Sequence, residues 1–485
     1  MTMHITRLVP VFCTLGLAAV FFPARHVAAA TNSMPPRIRV AKDGRTFVTE
    51  KGDPFVPLGV NYYRPGTGWA PQLWKQFDAE ATRKDFARMQ ELGLNCVRVF
   101  LSFGSFYREP GVLAPEGLSR FDQFLALAEE AGVYVHPTGP DHWEGAPEWT
   151  RTDRYADEKM LQAREDFWKL FAARYRGRTT IFAYDLLNEP EIGWESTAMS
   201  AKWKEWLRQK YGSAEKAAQA WGVSPEGFTW ETVSVPERKD APGSRHLLDY
   251  QHFRETLADA WTRRQATAIK AADPDALVTV GFIQWSVPVL VPSLSHYAAF
   301  RPDRQARFLD FLEIHFYPLE SGFYEYGRAE GEARNLAYLE SVVREVARPG
   351  KPVVVAEFGW HGGGKLTINE GKHPPATEAD QARWCRLLVE TTSGLAVGWL
   401  NWGFCDHPQA RDVSQLTGLL TVDGKLKAWG GEFKKLAGAL HQEVVPPAPA
   451  GAHPSLDWDL CLTSQQAAKE FREKYLQAFQ AARRN

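Results

Sequence analysis

Two glutamates follow short apolar runs in closely similar settings. One run ends Tyr184-Asp185-Leu186-Leu187-Asn188-Glu189-Pro190, the other Val353-Val354-Val355-Ala356-Glu357-Phe358-Gly359. Taken alone, a carboxyl at the end of a strand is more often a surface acid or an ion-pair partner. A pair in matched settings can face each other across one cleft, and glycoside cleavage needs such a pair. One carboxylic acid protonates the leaving oxygen while the other attacks the sugar or activates water. Asn188, directly before the first acid, can hydrogen-bond a substrate hydroxyl, and Pro190 removes a ladder donor and so stops the strand.

Such acids need a frame that brings them together. Short apolar runs at Val56–Tyr62, Cys96–Leu101, Val133–His136, Ile181–Leu187, Leu277–Phe282, Phe311–Phe316, Val353–Ala356 and Val397–Asn401 have the pattern of strands buried on both faces. Helical patterns lie between them, among them Asp78–Leu92, Leu118–Ala131, Asp157–Tyr175, Arg245–Ala272, Glu332–Ala347 and Glu378–Thr392. Eight alternations predict an α/β chain closed as a (β/α)8 barrel, whose catalytic groups sit at the carboxyl ends of strands. A doubly wound open sheet would show a phosphate-binding Gly-rich turn after its first strand; Asn61-Tyr62-Tyr63-Arg64-Pro65-Gly66 is not one.

The barrel domain is expected over 37–440. It opens with a short hairpin (Ile38–Val40, a turn at Asp43-Gly44, Thr46–Val48) and carries a helical, Trp-rich insertion over about 192–244, after the fourth strand. Residues 441–485 read as a linker, with Pro446-Pro447-Ala448-Pro449, followed by a helix packed on the barrel. Residues 1–30 have a basic start, an apolar stretch and small residues up to Ala30, the pattern of a cleavable signal peptide, so a secreted or periplasmic protein is expected, with no membrane contact after cleavage.

Lys+Arg 57 against Asp+Glu 58 gives a net charge of -1, which argues against nucleic acid as a partner and suits a neutral polymer. Eighteen Trp could pack the core or line a sugar cleft. After the leader, Cys96, Cys385, Cys405 and Cys461 remain; they form no C-x-x-C pair, and sequence alone does not assign disulfides among them. Asp141-His142 and His361 could serve a metal-dependent hydrolase, but no H-x-H follows the first strand, so neither metal nor cofactor is expected.

Asn188-Glu189-Pro190 together with Glu357 resembles clan A of the glycoside hydrolases. The nearest family is family 5, which holds cellulases and β-mannanases. Gly59-Val60-Asn61-Tyr62-Tyr63 after the opening hairpin is similar to the start of family 5 mannanases, which adds Asn61 to the supporting residues. The resemblance covers roughly residues 37–440. It implies retention of configuration, with Glu189 as acid/base and Glu357 as nucleophile. It further implies that Arg98 supports the nucleophile, as a fixed guanidinium keeps a carboxylate ionised. Tyr317 would bond that nucleophile and His315 would orient the acid/base; the H-x-Y spacing puts both on one strand face. Trp402 would floor the −1 sugar, with Trp399 as the fallback and core packing as the competing role. At the third strand the chain departs from the pattern: His136 lies within the strand and His142 after a loop, and His142 is favoured. Trp206-Leu207-Arg208-Gln209-Lys210-Tyr211-Gly212 through Trp221-Gly222 looks like a segment of family 42 β-galactosidases.

The expected activity is that of a secreted retaining β-glycoside hydrolase on a β-linked oligo- or polysaccharide, an endo-acting β-mannanase or β-glucanase. An exo-acting β-galactosidase or β-mannosidase is the alternative, with the insertion closing the cleft into a pocket. A non-catalytic carbohydrate-binding barrel would usually have lost one carboxylate, and both remain.

Overall fold

The computed structural model describes residues 34–67, 70–141, 145–320, 322, 324–368, 373–441 and 453–483. The expected leader, His142 and the Pro446-Pro447-Ala448-Pro449 patch lie outside them.

Strands β1 (Ile38–Val40), β2 (Phe47–Thr49) and β3 (Pro54–Phe55) form a small antiparallel sheet. The next eight are β4 (Leu58–Asn61), β5 (Cys96–Ser102), β6 (Tyr134–Asp141), β7 (Tyr184–Asn188), β8 (Val278–Phe282), β9 (Leu312–Phe316), β10 (Val353–Phe358) and β11 (Trp399–Trp402). They pair in parallel and in chain order, and β11 returns to β4 to close the barrel. β6 runs five residues past its expected end. Pro137 and Pro140 read as strand breakers, yet Val99 faces Pro137 and Ser102 faces Asp141 in the β5–β6 register.

Alternation along each strand sorts residues between the helical layer and the barrel interior. The inner floor is apolar: Cys96, Tyr134, Phe182, Phe311, Val354 and Leu400 pack on Ile38, Phe47 and Phe55, so the small N-terminal sheet plugs the bottom. One step up, the inward residues turn polar, with His136, Thr279 and Glu313, and above them Asn61, Arg98, Asp185 and His315, all fully buried. A third inward cluster, Tyr63, Phe100 and Trp402, lies above these.

Helices α1 (Ala79–Glu91), α2 (Pro115–Ala131), α3 (Glu158–Tyr175), α4 (Thr197–Tyr211), α5 (Ala214–Trp221), α6 (Arg245–Ala272), α7 (Ala329–Ala347), α8 (Glu378–Thr392), α9 (Ala428–Leu440) and α10 (Gln465–Ala482) follow. Sequence reasoning did not place α9. Gly430-Gly431 reads as a breaker, but a Cβ at Gly430 would stand 2.4 Å from the Leu419 carbonyl oxygen, so glycine there lets the helix sit directly on backbone. α10 buries Phe471, Tyr475 and Phe479, and its Tyr475 hydroxyl donates to Glu340 of α7 at 2.9 Å.

The insertion is packed by its own tryptophans. Trp203 is buried and stacks on Trp206 and Trp221. Buried Asp249 of α6 accepts from Lys210 at 2.7 Å, from the Trp221 indole at 2.9 Å and from the Tyr211 hydroxyl. All four post-leader cysteines are buried and unpaired. Among the described residues, no helix is long and apolar enough to cross a membrane.

Candidate active site

Arg98 organises the barrel mouth. Its Nη1 donates to Glu357 Oε1 at 2.6 Å and to Asn61 Oδ1 at 2.9 Å; its Nη2 donates to Asp185 Oδ2 at 2.7 Å and to Asn188 Oδ1 at 2.9 Å. Burial by itself would lower the guanidinium, but Asp185 and Glu357 more than offset it, so Arg98 stays charged. Asp185 is held in turn by Thr138 Oγ1 at 2.9 Å and by the backbone N–H of Gly281 at 2.8 Å.

Glu357 reaches this layer because β10 is irregular. Val354 and Ala356 point inward to the floor cluster, so strict alternation would aim Glu357 at the helices. The register against β9 shifts between Val355 and Glu357, and the bulge turns the carboxylate into the mouth. There Glu357 Oε2 also accepts from the Tyr317 hydroxyl at 3.2 Å. Tyr317 is clamped at its backbone: its N–H donates to Gln284 Oε1 at 2.8 Å and its carbonyl accepts from Gln284 Nε2 at 3.0 Å.

Glu189 follows β7 with φ 45, a left-handed conformation that a residue before proline avoids. Its N–H is fixed on the Gly281 carbonyl at 2.8 Å. Strain of this kind persists only where the surroundings over-determine it. His315 bridges the acids, with Nδ1 3.0 Å from Glu189 Oε1 and 3.5 Å from Glu357 Oε1. Burial pushes the imidazole down to about 4, so His315 is neutral at ordinary pH. Burial pushes Glu189 up to about 7. It also raises Glu357, whose rise is opposed by His315 and Arg98 and reinforced by the charge of Glu189. The two carboxyls therefore titrate as a coupled pair that retains one proton into the neutral range. Glu357 accepts from a guanidinium and a phenol, bonds that favour its ionised form, so the proton belongs on Glu189.

The two acids and Asn188 line a cavity of about 390 Å³ whose walls include Trp285, Trp360 and Trp402. Trp402 Nε1 donates to Ser414 Oγ at 2.6 Å. The Trp285 indole donates to Glu191, two residues after the acid. No described residue of 192–244 lines the cavity, so the insertion does not supply its wall. Two groups of three side chains have ligand-type atoms within 4.8 Å of one another: His136, Asp185 and Glu313, and Glu189, His315 and Glu357. In both, positive or donor groups already occupy the carboxylates: Arg98 holds Asp185 and Glu357, and His136 Nε2 lies 2.6 Å from Glu313.

The family model described as Cellulase (glycosyl hydrolase family 5) matches residues 48–408. The chain belongs to glycosyl hydrolase family 5. It is 27% identical over 254 residues to a β-galactosidase of Thermus thermophilus, a match covering 47% of this chain and 38% of the relative. It is 25% identical over 246 residues to a probable mannan endo-1,4-β-mannosidase A of Aspergillus flavus, covering 45% and 62%. Among solved structures, an exo-β-1,4-mannosidase from Opitutaceae bacterium strain TAV5 superposes with a TM-score of 0.59 at 19% identity, covering 83% of this chain and 62% of that one. The chain thus spans less than two thirds of the length of each of these relatives.

The structure gathers Asn61, Arg98, Asn188, Glu189, His315, Tyr317, Glu357 and Trp402 at one mouth. Asn61 acts from below: besides holding Arg98, it donates to the Ala356 carbonyl at 2.8 Å, directly before Glu357. Trp399 is corrected. It lies three residues before Trp402 on β11, hence on the opposite face, fully buried with its indole on Thr392 Oγ1 at 2.9 Å; it packs the helical layer. His136 sits a layer below the mouth, bonded to Glu313 and to the Ala183 carbonyl at 2.8 Å.

Sequence reasoning missed Asp185, Gln284 and Gly281. Asp185 carried a signal, an acid inside an apolar run. Gly281 carried none. A Cβ there would lie 2.9 Å from both Arg98 Nη2 and His315 Nε2. Gly281→Ala should therefore shift both side chains, and displacements near 1 Å cost roughly 10²-fold in rate. We expect kcat/KM to fall by about that factor while circular dichroism and the melting midpoint stay near wild type; full activity would mean the Arg98–His315 layer tolerates displacement.

Proposed function

We propose that this family 5 chain is a retaining β-glycosidase that cleaves β-mannosides from chain ends, with Glu189 as acid/base and Glu357 as nucleophile. One observation carries the mechanism: an oxygen of Glu189 and an oxygen of Glu357 lie within 4.8 Å of each other. Retaining pairs stand about 5–5.5 Å apart, whereas inverting pairs need roughly 6.5–9.5 Å to seat a water between acid and sugar. Glu189, which burial pushes up to about 7, keeps a proton into the neutral range and would deliver it to the leaving oxygen. Glu357, held ionised by Arg98 and Tyr317, would attack the anomeric carbon.

The leaning to mannosides draws on the mannan-acting relatives. Action at chain ends is favoured by the cavity: about 390 Å³ is at the small end of the roughly 300–1,000 Å³ usual for small-molecule sites. This departs from the endo action anticipated from the mannanase-like start. The Thermus relative favours a second reading, a β-galactosidase. Export is also proposed, on the leader alone.

Nitrophenyl β-mannoside, β-galactoside and β-glucoside, with mannohexaose and β-mannan, test the reading. We expect the mannoside to be preferred, mannose to be released first, and the β-anomer to appear first by NMR. An α-anomer would end the retaining assignment, rapid loss of mannan viscosity would restore endo action, and faster galactoside turnover would favour the second reading.

A further inference from the structure

Away from the catalytic floor, the cavity is walled by apolar side chains such as Ile283, Leu319, Ile368 and Val413, but the segment after β11 adds two exposed charged residues, Arg411 and Asp412. Neither takes part in an ion pair among the described residues, and Arg411 makes no side-chain hydrogen bond among them. One oxygen of Asp412 is used: Oδ1 accepts from the Ser414 backbone N–H at 2.8 Å and caps the turn that follows. The other is unpartnered among the described residues. Ser414 is buried, and its hydroxyl receives the Trp402 indole N–H at 2.6 Å. Gln415 ties the same turn to the segment after β10 by bonds to Thr367 Oγ1 at 2.7 Å and the Thr367 N–H at 2.8 Å. The wall that carries the two charges is thus pinned to the aromatic ring beside the catalytic pair.

We propose that Arg411 and Asp412 are specificity-determining residues, bonding adjacent hydroxyls of a neutral sugar seated against Trp402, with Ser414 as the residue that positions both ring and wall. The carboxylate accepts from one hydroxyl and the guanidinium donates to the oxygen of its neighbour. Opposite charges on adjacent residues leave no net charge on the wall, which fits a neutral saccharide and gives no advantage to a uronate or sulfate. A sugar hydroxyl entering an apolar cavity loses water and needs a replacement partner, and this wall supplies two. The assignment deepens the β-mannoside reading and rests on it for the identity of the sugar.

Two variants isolate the roles. Asp412→Asn keeps an oxygen able to cap the turn but replaces an acceptor facing the cavity with a donor, and Arg411→Ala removes the guanidinium. Both are assayed on nitrophenyl β-mannoside and its 2-, 3-, 4- and 6-deoxy analogues, and mannobiose binding is measured by calorimetry. Each variant is expected to lose at least about tenfold in kcat/KM on the parent, mostly through KM, with no further loss on the one analogue lacking the hydroxyl it bonds. Ser414→Ala should lower kcat/KM on all five substrates, and Ser414→Thr should restore it. Variants within twofold of wild type on the parent, or equal losses on every analogue, overturn the proposal. If the wild type turns over no β-glycoside, the function reading fails and calorimetry decides this one: weaker mannobiose binding in Asp412→Asn supports it, while equal binding, or no binding by the wild type, overturns it.

Discussion

Glu357→Ala is expected to abolish turnover, by at least about 10⁴-fold, and to leave the barrel folded. The magnitude follows from the role: without the attacking carboxylate no glycosyl-enzyme forms, and groups that act as a unit lose nearly the whole effect when one is removed. Folding should survive because Arg98 is not orphaned. Asp185 still pairs with it at 2.7 Å, and Asn61 and Asn188 still accept from it, so no buried charge is left uncompensated. Azide then discriminates the role from a general loss. It fits the space vacated by the side chain and attacks the anomeric carbon from the same face, while Glu189 protonates the leaving oxygen. One displacement replaces two, so a β-glycoside should yield the α-glycosyl azide, identifiable by NMR. A β-azide would assign Glu357 to proton transfer instead, and undiminished turnover would remove it from the chemistry altogether.

Much of this frame was legible in the chain because buried parallel strands are short apolar runs and the acids follow them directly. The limits lie where period-2 alternation fails. Alternation places Arg98 and His315 inside correctly, and it separates Trp402 from Trp399, a distinction that the clustering of aromatic residues in one run obscured. It places Glu357 on the wrong side, because the bulge after Val355 depends on pairing with β9 and leaves no mark in the local sequence. The same holds for Gly281, whose missing side chain makes room for Arg98 and His315 from two other strands. The tryptophans of the insertion could either pack it or line a cleft, with packing favoured for Trp203 and Trp206; Trp203 indeed stacks on Trp206 and Trp221 and packs on Phe253 of α6. That residues 411–413 line the cavity depends on which loop reaches the mouth, and no local pattern encodes that.

Replacing Glu189 should separate the two halves of the reaction. In Glu189→Ala, an aryl mannoside with a good leaving group such as dinitrophenolate needs no proton, so glycosylation stays fast. The second step has lost its base, so the glycosyl-enzyme accumulates and KM falls. On mannobiose, whose leaving group is a sugar alkoxide, the loss should approach the 10²–10⁴-fold that general acid catalysis supplies. Azide should rescue this variant to the β-glycosyl azide, the opposite configuration from Glu357→Ala. The pH profile carries the same assignment. Glu189 is pushed up to about 7, and in the proposed acid/base role its acid form is the active one. Wild-type kcat/KM should therefore hold level below that pH as long as Glu357 stays ionised, and fall about tenfold per unit above it. His315, held down to about 4, cannot produce that limb. Glu189→Gln, which cannot ionise, should lose the limb altogether. If the decline near neutral pH survives in Glu189→Gln, the titrating acid is another group, and Glu189 does not supply the proton.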